Sequence, residues 1–242
     1  QHAVLNNVEH HRLRVDARMG SGRGDEVMAA LTFAGEFRAV QAHYPIVFGP
    51  GPGGVLQPLA LFGFSPGQNL FLQPEGWDAH YIPLSIRRQP FLIGMGAGSE
   101  GAVVHIDLAH PRVQHADGAG EALFREFGGP TPYLEQVAGM LDALQQGAQA
   151  NAALMAQLEG HGLLTPFALD IRLPHDEPLR LDGLWTIDEQ RLRALDAEPL
   201  AGLHAQGALE ACYMVLASNA QLASMVERLQ RLHTTAAEIR SA

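Results

Sequence analysis

Residues 43–54 read HYPIVFGPGPGG. The apolar run Pro45-Ile46-Val47-Phe48 enters six residues made only of glycine and proline. The purpose of that loop decides between a nucleotide-binding α/β fold and an antiparallel one. A phosphate cradle needs consecutive backbone N–H donors, a helix starting where the loop ends, and usually a Lys with Ser or Thr. Pro50 and Pro52 remove two donors, no Lys or hydroxyl residue comes after them, and Val55 to Phe62 has strand character. The loop is therefore expected to reverse the chain between two strands.

Two further glycine motifs read the same way. Gly96-Ala-Gly98-Ser-Glu-Gly101 matches G-x-G-x-x-G, but its third glycine opens AVVHIDL, which alternates as a strand where a dinucleotide fold needs a helix. Gly63-Phe-Ser65-Pro-Gly67 matches the serine nucleophile elbow. Pro66 has no N–H for the oxyanion hole, and NLFL comes next in place of a helix. Both are expected to be turns.

Outward from the loop, Leu31 to about His115 is cut by Gly and Pro at roughly the 8–12-residue spacing of short strands. Glu36 to Tyr44 is the exception, with Phe37, Val40 and Tyr44 at helical spacing. Before this region Arg12 to Asp16 alternates, and Gly-Ser-Gly-Arg-Gly-Asp at 20–25 reads as a flexible loop. At Thr131-Pro132 the period changes. Thr caps, Pro suits the first turn, and Leu134, Val137, Leu141, Leu144, Ala148, Ala152, Met155 and Leu158 line one helical stripe up to Gly160, about 28 residues. Gly139 and Gly147 weaken this helix, so it must lean on a partner.

FALDIRLPHDEPLRLDGLW then alternates on either side of a PHDEP turn and reads as a hairpin with one wet face. Thr186-Ile-Asp-Glu189 has capping-box form before a short helix to Leu195. Pro199 opens another helix, and Gly207 to about His233 carries a last long one. The expected fold is a single α+β domain over 1–242, β-rich over 1–127, with a long helix, a hairpin and C-terminal helices over 128–242.

The 242 residues are 47% hydrophobic, enough for a substantial core. No run approaches the roughly 18 apolar residues of a membrane-spanning helix. The formal net charge is −10, and all 16 basic residues are Arg, scattered along the chain. Nucleic acid is excluded as a partner on that ground. Cys212 is the lone cysteine, which excludes an internal disulfide and a multi-thiolate zinc site. QHAVLNN has neither the basic nor the apolar region of a signal peptide, so the cytoplasm is the default expectation, although a start at Gln leaves room for residues upstream.

Among chemical motifs, His105-Ile-Asp107 places imidazole and carboxylate on one face of a strand. With a third ligand from His161, His175 or His204 it would make a two-His, one-carboxylate Fe(II) site of oxygenase type; a half-buried strand with hydrogen-bonded polar residues is the competing reading. The other histidines read as surface residues, His10 and His11 pointing apart on a strand. Cys212, on an apolar helical stripe, reads as packing. The densest candidate is Trp77 to Phe91, where Trp77, Tyr81, Arg87 and Arg88, joined by Tyr44, offer the residue types that dominate binding hot spots. The competing reading puts the aromatics in the core and the arginines on its rim. No catalytic residue and no cofactor is expected.

HYPIVF, LALFGFSPGQNLFL, WDAHYIPLSIRRQPF, HIDL, GEALFREFGGPTPYL, LEGHGLLTPF and LDGLWTIDEQRLRAL, in this order from about Glu36 to Leu229, together resemble the SapC family of bacterial proteins. The resemblance implies an association with surface-layer loci, and with genes for outer-membrane receptors and flavin-dependent halogenase-like enzymes. It carries over no catalytic residues. Family members usually have Cys-Ile-Asp where this chain has His105-Ile106-Asp107, so the histidine is no family feature. The resemblance thus leads to the expectation of a non-enzymatic accessory or binding protein of cell-envelope or surface-receptor systems, with a protein or peptide partner or self-association. The non-haem Fe(II) oxygenase on His105 and Asp107 is the alternative.

Overall fold

The glycine–proline loop turns the chain. Gly51 N–H donates to the Val55 carbonyl at 2.8 Å and Gly54 N–H to the Gly51 carbonyl at 3.0 Å. The flanking segments pair antiparallel, Phe48 opposite Pro58. Gly53 and Gly54 hold φ of +71° and +79°, a conformation that glycine adopts without strain. The computed structural model describes residues 2–95, 102–115, 118–172 and 179–241.

In chain order these form β1 (His2–Val4), β2 (Arg14–Val15), β3 (Ala29–Leu31), α1 (Phe37–Val40), β4 (Ile46–Pro50), β5 (Leu56–Leu61), β6 (Leu72–Gln73) and β7 (Gly76–Trp77). Next come α2 (Leu84–Arg87), β8 (Phe91–Met95), β9 (Ala102–Asp107), β10 (Val113–Gln114), β11 (Glu121–Ala122) and α3 (Pro132–Gly160). The chain closes with β12 (Leu164–Ile171), β13 (Leu179–Ile187), α4 (Glu189–Arg193), α5 (Ala197–Ala205), α6 (Ala208–Ser218) and α7 (Gln221–Ser241). This is the α+β arrangement expected: short antiparallel strands, a long helix, a hairpin, then helices. The chain packs as two compact units, 1–26 with 72–78 and 84–146, and 27–71 with 79–83 and 147–242. The first 15 residues of α3 thus belong to one unit and the rest to the other.

In the first unit β1-β9-β8 and β10-β2-β11 are three-stranded antiparallel sheets. Val15, Phe91, Ile106, Leu123, Val137 and Leu141 form its core, so the α3 stripe is buried against these strands as its periodicity demands. Thr131 caps α3, its Oγ1 accepting Leu134 N–H at 3.3 Å and donating to the Ala122 carbonyl at 2.7 Å. The 20–25 loop, expected to be flexible, is held by charge. Asp25 Oδ2 accepts Gly20 N–H at 2.7 Å, and Asp25 Oδ1 takes the Arg112 guanidinium, both side chains being almost wholly buried. Burial pushes the Asp25 carboxyl up, opposed by the Gly20 amide and Arg112.

The second unit is built on a five-stranded antiparallel sheet, β12-β13-β4-β5-β3, with α6 packed against α1, β4 and β13. Pro166 is tolerated because β12 is an edge strand, and the register shifts between Phe167 and Leu169. The α3 helix leans on a partner, as expected, and does so at Gly147. The Phe33 ring occupies the space a Cβ at Gly147 would need, 2.4 Å from Cγ.

Several expectations need correction. The 36–44 helix is shorter: a 3-10 turn over Ala34–Glu36 leads into the four residues of α1. The last long helix is two, because Asn219 and Ala220 bond three residues back and end α6 before α7 begins. The cap of α4 is Asp188, whose Oδ1 accepts Arg191 N–H at 2.9 Å; Thr186 lies in β13, opposite Thr165. His10 is buried in a turn, its Nδ1 accepting Asn6 N–H at 3.1 Å. The PHDEP turn and Gly96 to Gly101 lie outside the described residues; β8 and β9, the strands flanking the latter, pair antiparallel.

Candidate functional site

The segment from Trp77 to Phe91 threads through both units. Trp77 lies in β7 opposite Leu72, half-buried, in the first unit. Residues 79–83 belong to the second unit, and α2 returns the chain to the first. Arg87 and Arg88 differ in what they touch. Arg88 donates from a guanidinium nitrogen to the Phe91 carbonyl at 2.5 Å, and burial pulls its pKa down. The Arg87 side chain, also half-buried, makes no hydrogen bond or ion pair among the described residues.

In the second unit Tyr44 and Tyr81 are joined. Tyr44, fully buried, donates its hydroxyl to the Tyr81 carbonyl at 2.5 Å and meets Phe62 and Phe71 edge-on at 5.0 and 4.7 Å between centroids. The Arg228 guanidinium lies 4.5 Å from the Phe71 centroid. The Tyr81 hydroxyl donates to Glu36 Oε1 at 2.6 Å, and the Thr32 hydroxyl to Glu36 Oε2 at 3.1 Å. Asn151 Nδ2 donates to the Thr32 carbonyl at 2.8 Å. A continuous polar chain, Tyr44–Tyr81–Glu36–Thr32–Asn151, therefore runs through the packing of this unit. Glu36, Thr32 and Asn151 were not among the sequence candidates. The signal for Asn151 was present: it is a polar residue on the buried stripe of α3, where an amide must find partners. Beside this chain His43 and His80 stand edge to face at 5.9 Å, and burial, with the charge of His80, lowers the His43 pKa.

The three turn motifs supply no catalytic geometry where they are described. In the would-be nucleophile elbow Gln68 N–H donates to the Ser65 carbonyl at 3.1 Å, the Gln68 side chain accepts Phe64 N–H at 2.8 Å, and Gly67 takes φ +77°, a tight turn. Cys212 is buried in α6, and burial pushes its thiol up to about 11, which favours the packing reading over a nucleophile.

His105 and Asp107 share a face of β9, as alternation requires. Asp107 Oδ1 accepts Ala109 N–H at 3.1 Å, and its Oδ2 lies 3.8 Å from His2 Nε2. His105 Nε2 is buried and, among the described residues, reached by no hydrogen-bond partner, packed where a Cβ on Gly94 would come within 2.9 Å of it. His161 and His204 belong to the second unit, and His175 lies outside the described residues. Among the described residues no three His, Cys, Asp or Glu side chains are grouped to hold a metal ion. Among them, too, no helix is long and apolar enough to cross a membrane.

The SapC family model matches residues 5–225, nearly the whole chain, and the chain belongs to that family. No curated protein and no solved structure matches it.

Proposed function

We propose that this SapC-family member is a non-enzymatic accessory protein that captures a protein or peptide partner of the cell envelope or of a surface-receptor system. Trp77 and Arg87, both of the first unit, make the contact, and Arg88 holds the segment that presents Arg87; Tyr44 and Tyr81 pack within the second unit. The observation that carries this reading is Arg87. A half-buried guanidinium has five donors in a fixed fork, and one without an acceptor is suited to a carboxylate or phosphate arriving from outside. Its neighbour Arg88 is committed to the Phe91 carbonyl and supports the segment. Trp77 adds a large apolar face with a polar edge, the second ingredient of a hot spot.

The test is affinity capture from extract of the native host with the wild-type protein and Arg87→Glu. A specific partner is expected with the wild type and is lost with Arg87→Glu, whose thermal melt is unchanged. Arg88→Glu, by contrast, lowers the melting temperature, because it strands the Phe91 carbonyl. Equal capture by a folded Arg87→Glu protein overturns the assignment.

A further inference from the structure

The turn between β9 and β10 meets the 20–25 loop of the same unit through one histidine. His110 N–H donates to the Asp107 carbonyl at 3.1 Å and Val113 N–H to the His110 carbonyl at 2.9 Å, which shapes the turn. Inside it, Arg112 N–H donates to His110 Nδ1 at 3.2 Å. A ring nitrogen that accepts carries no proton, so the imidazole is neutral and its hydrogen sits on Nε2. That other edge of the ring rests on the loop, where a Cβ on Gly24 would stand 3.1 Å from Nε2. The bond to Nδ1 fixes the backbone of Arg112, and that backbone aims the guanidinium at Asp25 and at the Arg23 carbonyl. The loop itself contains neither helix nor strand. Its attachment to the turn therefore depends on an uncharged imidazole.

We propose that His110 is a pH-sensitive latch: neutral, it holds the 20–25 loop through Arg112, and protonation at Nδ1 shifts that loop toward an open form while the sheets of the unit stay folded. Protonation turns the acceptor into a donor facing the Arg112 N–H, so that bond is lost. It also sets a cation among charged neighbours. Arg112 from its own turn and Arg88 beyond α2 repel it, whereas Asp107 at the end of β9 and Asp25 in the loop attract it. Burial of the ring weighs most, and with the two arginines it outweighs the carboxylates, so the folded pKa lies below the ordinary histidine value. A lowered folded pKa means stability that is complete above the unfolded value, about 6.5, and is lost as pH falls from there through the folded value. One proton changes the open-to-closed ratio by at most about tenfold for each pH unit in that window. Asp25 gives the opposite slope, because burial raises its folded pKa and so favours the closed loop as pH falls. The two groups are therefore separable by sign.

Amide hydrogen exchange read by mass spectrometry tests this on the full chain, kept dilute so that association near the isoelectric point is held down. Protection factors are compared at about pH 7.5 and about pH 5.5 for the segments that contain Gly20 and Arg112. Both amides are held in the closed form, Gly20 by Asp25 Oδ2 and Arg112 by His110 Nδ1. Protection of both segments is expected to fall several-fold, up to about tenfold, at the lower pH, while β8 and β9 keep theirs. His110→Asn retains an acceptor, because an Asn side-chain oxygen bonds the N–H two residues on, and it does not titrate. In that variant protection should be the same at both pH values. Nitrogen NMR of the His110 ring in the wild type near neutral pH gives an independent reading, with the proton expected on Nε2. Equal protection at the two pH values in the wild type overturns the inference. So does a fall in His110→Asn as large as in the wild type, or a proton on Nδ1 near neutral pH. Partner capture through Arg87 is read by a different assay at neutral pH, where the latch is closed, so either result stands without the other.

Discussion

Arg112 and Asp25 are the pair of residues on which the first unit's loop architecture turns. The Arg112 guanidinium reaches Asp25, the Arg23 carbonyl at 3.2 Å and the Met19 sulfur at 2.9 Å, so one side chain ties together the 19–25 loop. Its relative exposure is 1%, and that of Asp25 is 0%. Buried ion pairs add little over an apolar pair of equal shape, but breaking one strands a charge. Arg112→Met should therefore cost about 3–5 kcal/mol, read as a fall in the urea midpoint. The double variant Arg112→Met, Asp25→Leu should recover most of that loss. A single variant as stable as the wild type would show that the loop is held by its backbone contacts alone.

At the scale of the element, α3 carries a matched pair of tests. Gly139 and Gly147 both interrupt its helical pattern, and propensity alone predicts that alanine at either would stabilise by up to about 1 kcal/mol. At Gly139, exposed, an added Cβ meets nothing within 4 Å, so Gly139→Ala should raise the melting temperature. At Gly147 the new methyl would stand 2.4 Å from the Phe33 ring, and Gly147→Ala should lower it by more than propensity returns, an overpacking cost of about 1–3 kcal/mol. Opposite signs of the two melting shifts check the argument. The same helix shows what local sequence can and cannot reveal. Its start at Thr131-Pro132, its stop at Gly160 and its need for a partner are set by local chemistry. Which glycine admits the partner is not, because Phe33 is far away in sequence. The same division holds for the site. Turn chemistry at 49–54 and 63–67 is legible because proline and glycine act within a few residues. The polar chain from Tyr44 to Asn151 is not, since its links join Thr32, Glu36, Tyr81 and Asn151 across long separations. The break between α6 and α7 is equally hidden, because the apolar stripe continues across it and only backbone bonding at Asn219 and Ala220 marks the end of one helix.

The whole molecule is governed by a charge balance that histidine can invert. With 26 acidic residues and 16 arginines the net charge is −10 at pH 7, and protonating ten of the 12 histidines brings it to zero. Histidine titrates near pH 6.5, and the sequence isoelectric point is about 5.6. Burial lowers the pKa of His43 and His110. Self-association and turbidity should therefore peak near the isoelectric point, fading on either side. The aggregate should be native. Hydrogen bonds from Arg18 foremost, then from Arg23, hold the Asp16 carboxyl well below the usual carboxylate range. A carboxyl whose folded pKa is depressed contributes stability that is complete above its unfolded value, about 4, and is lost as pH falls from there through the folded value. At pH 5.6 that contribution is intact. Light scattering during a pH titration should thus show association that reverses on return to about pH 7.5 with far-UV circular dichroism unchanged throughout, whereas below about pH 4 the loss of the Asp16 ion pairs should lower the melting temperature, less so in Asp16→Asn, which lacks that titration. Irreversible precipitation at the isoelectric point with loss of secondary structure would place the failure in the fold and remove histidine charge balance as its cause.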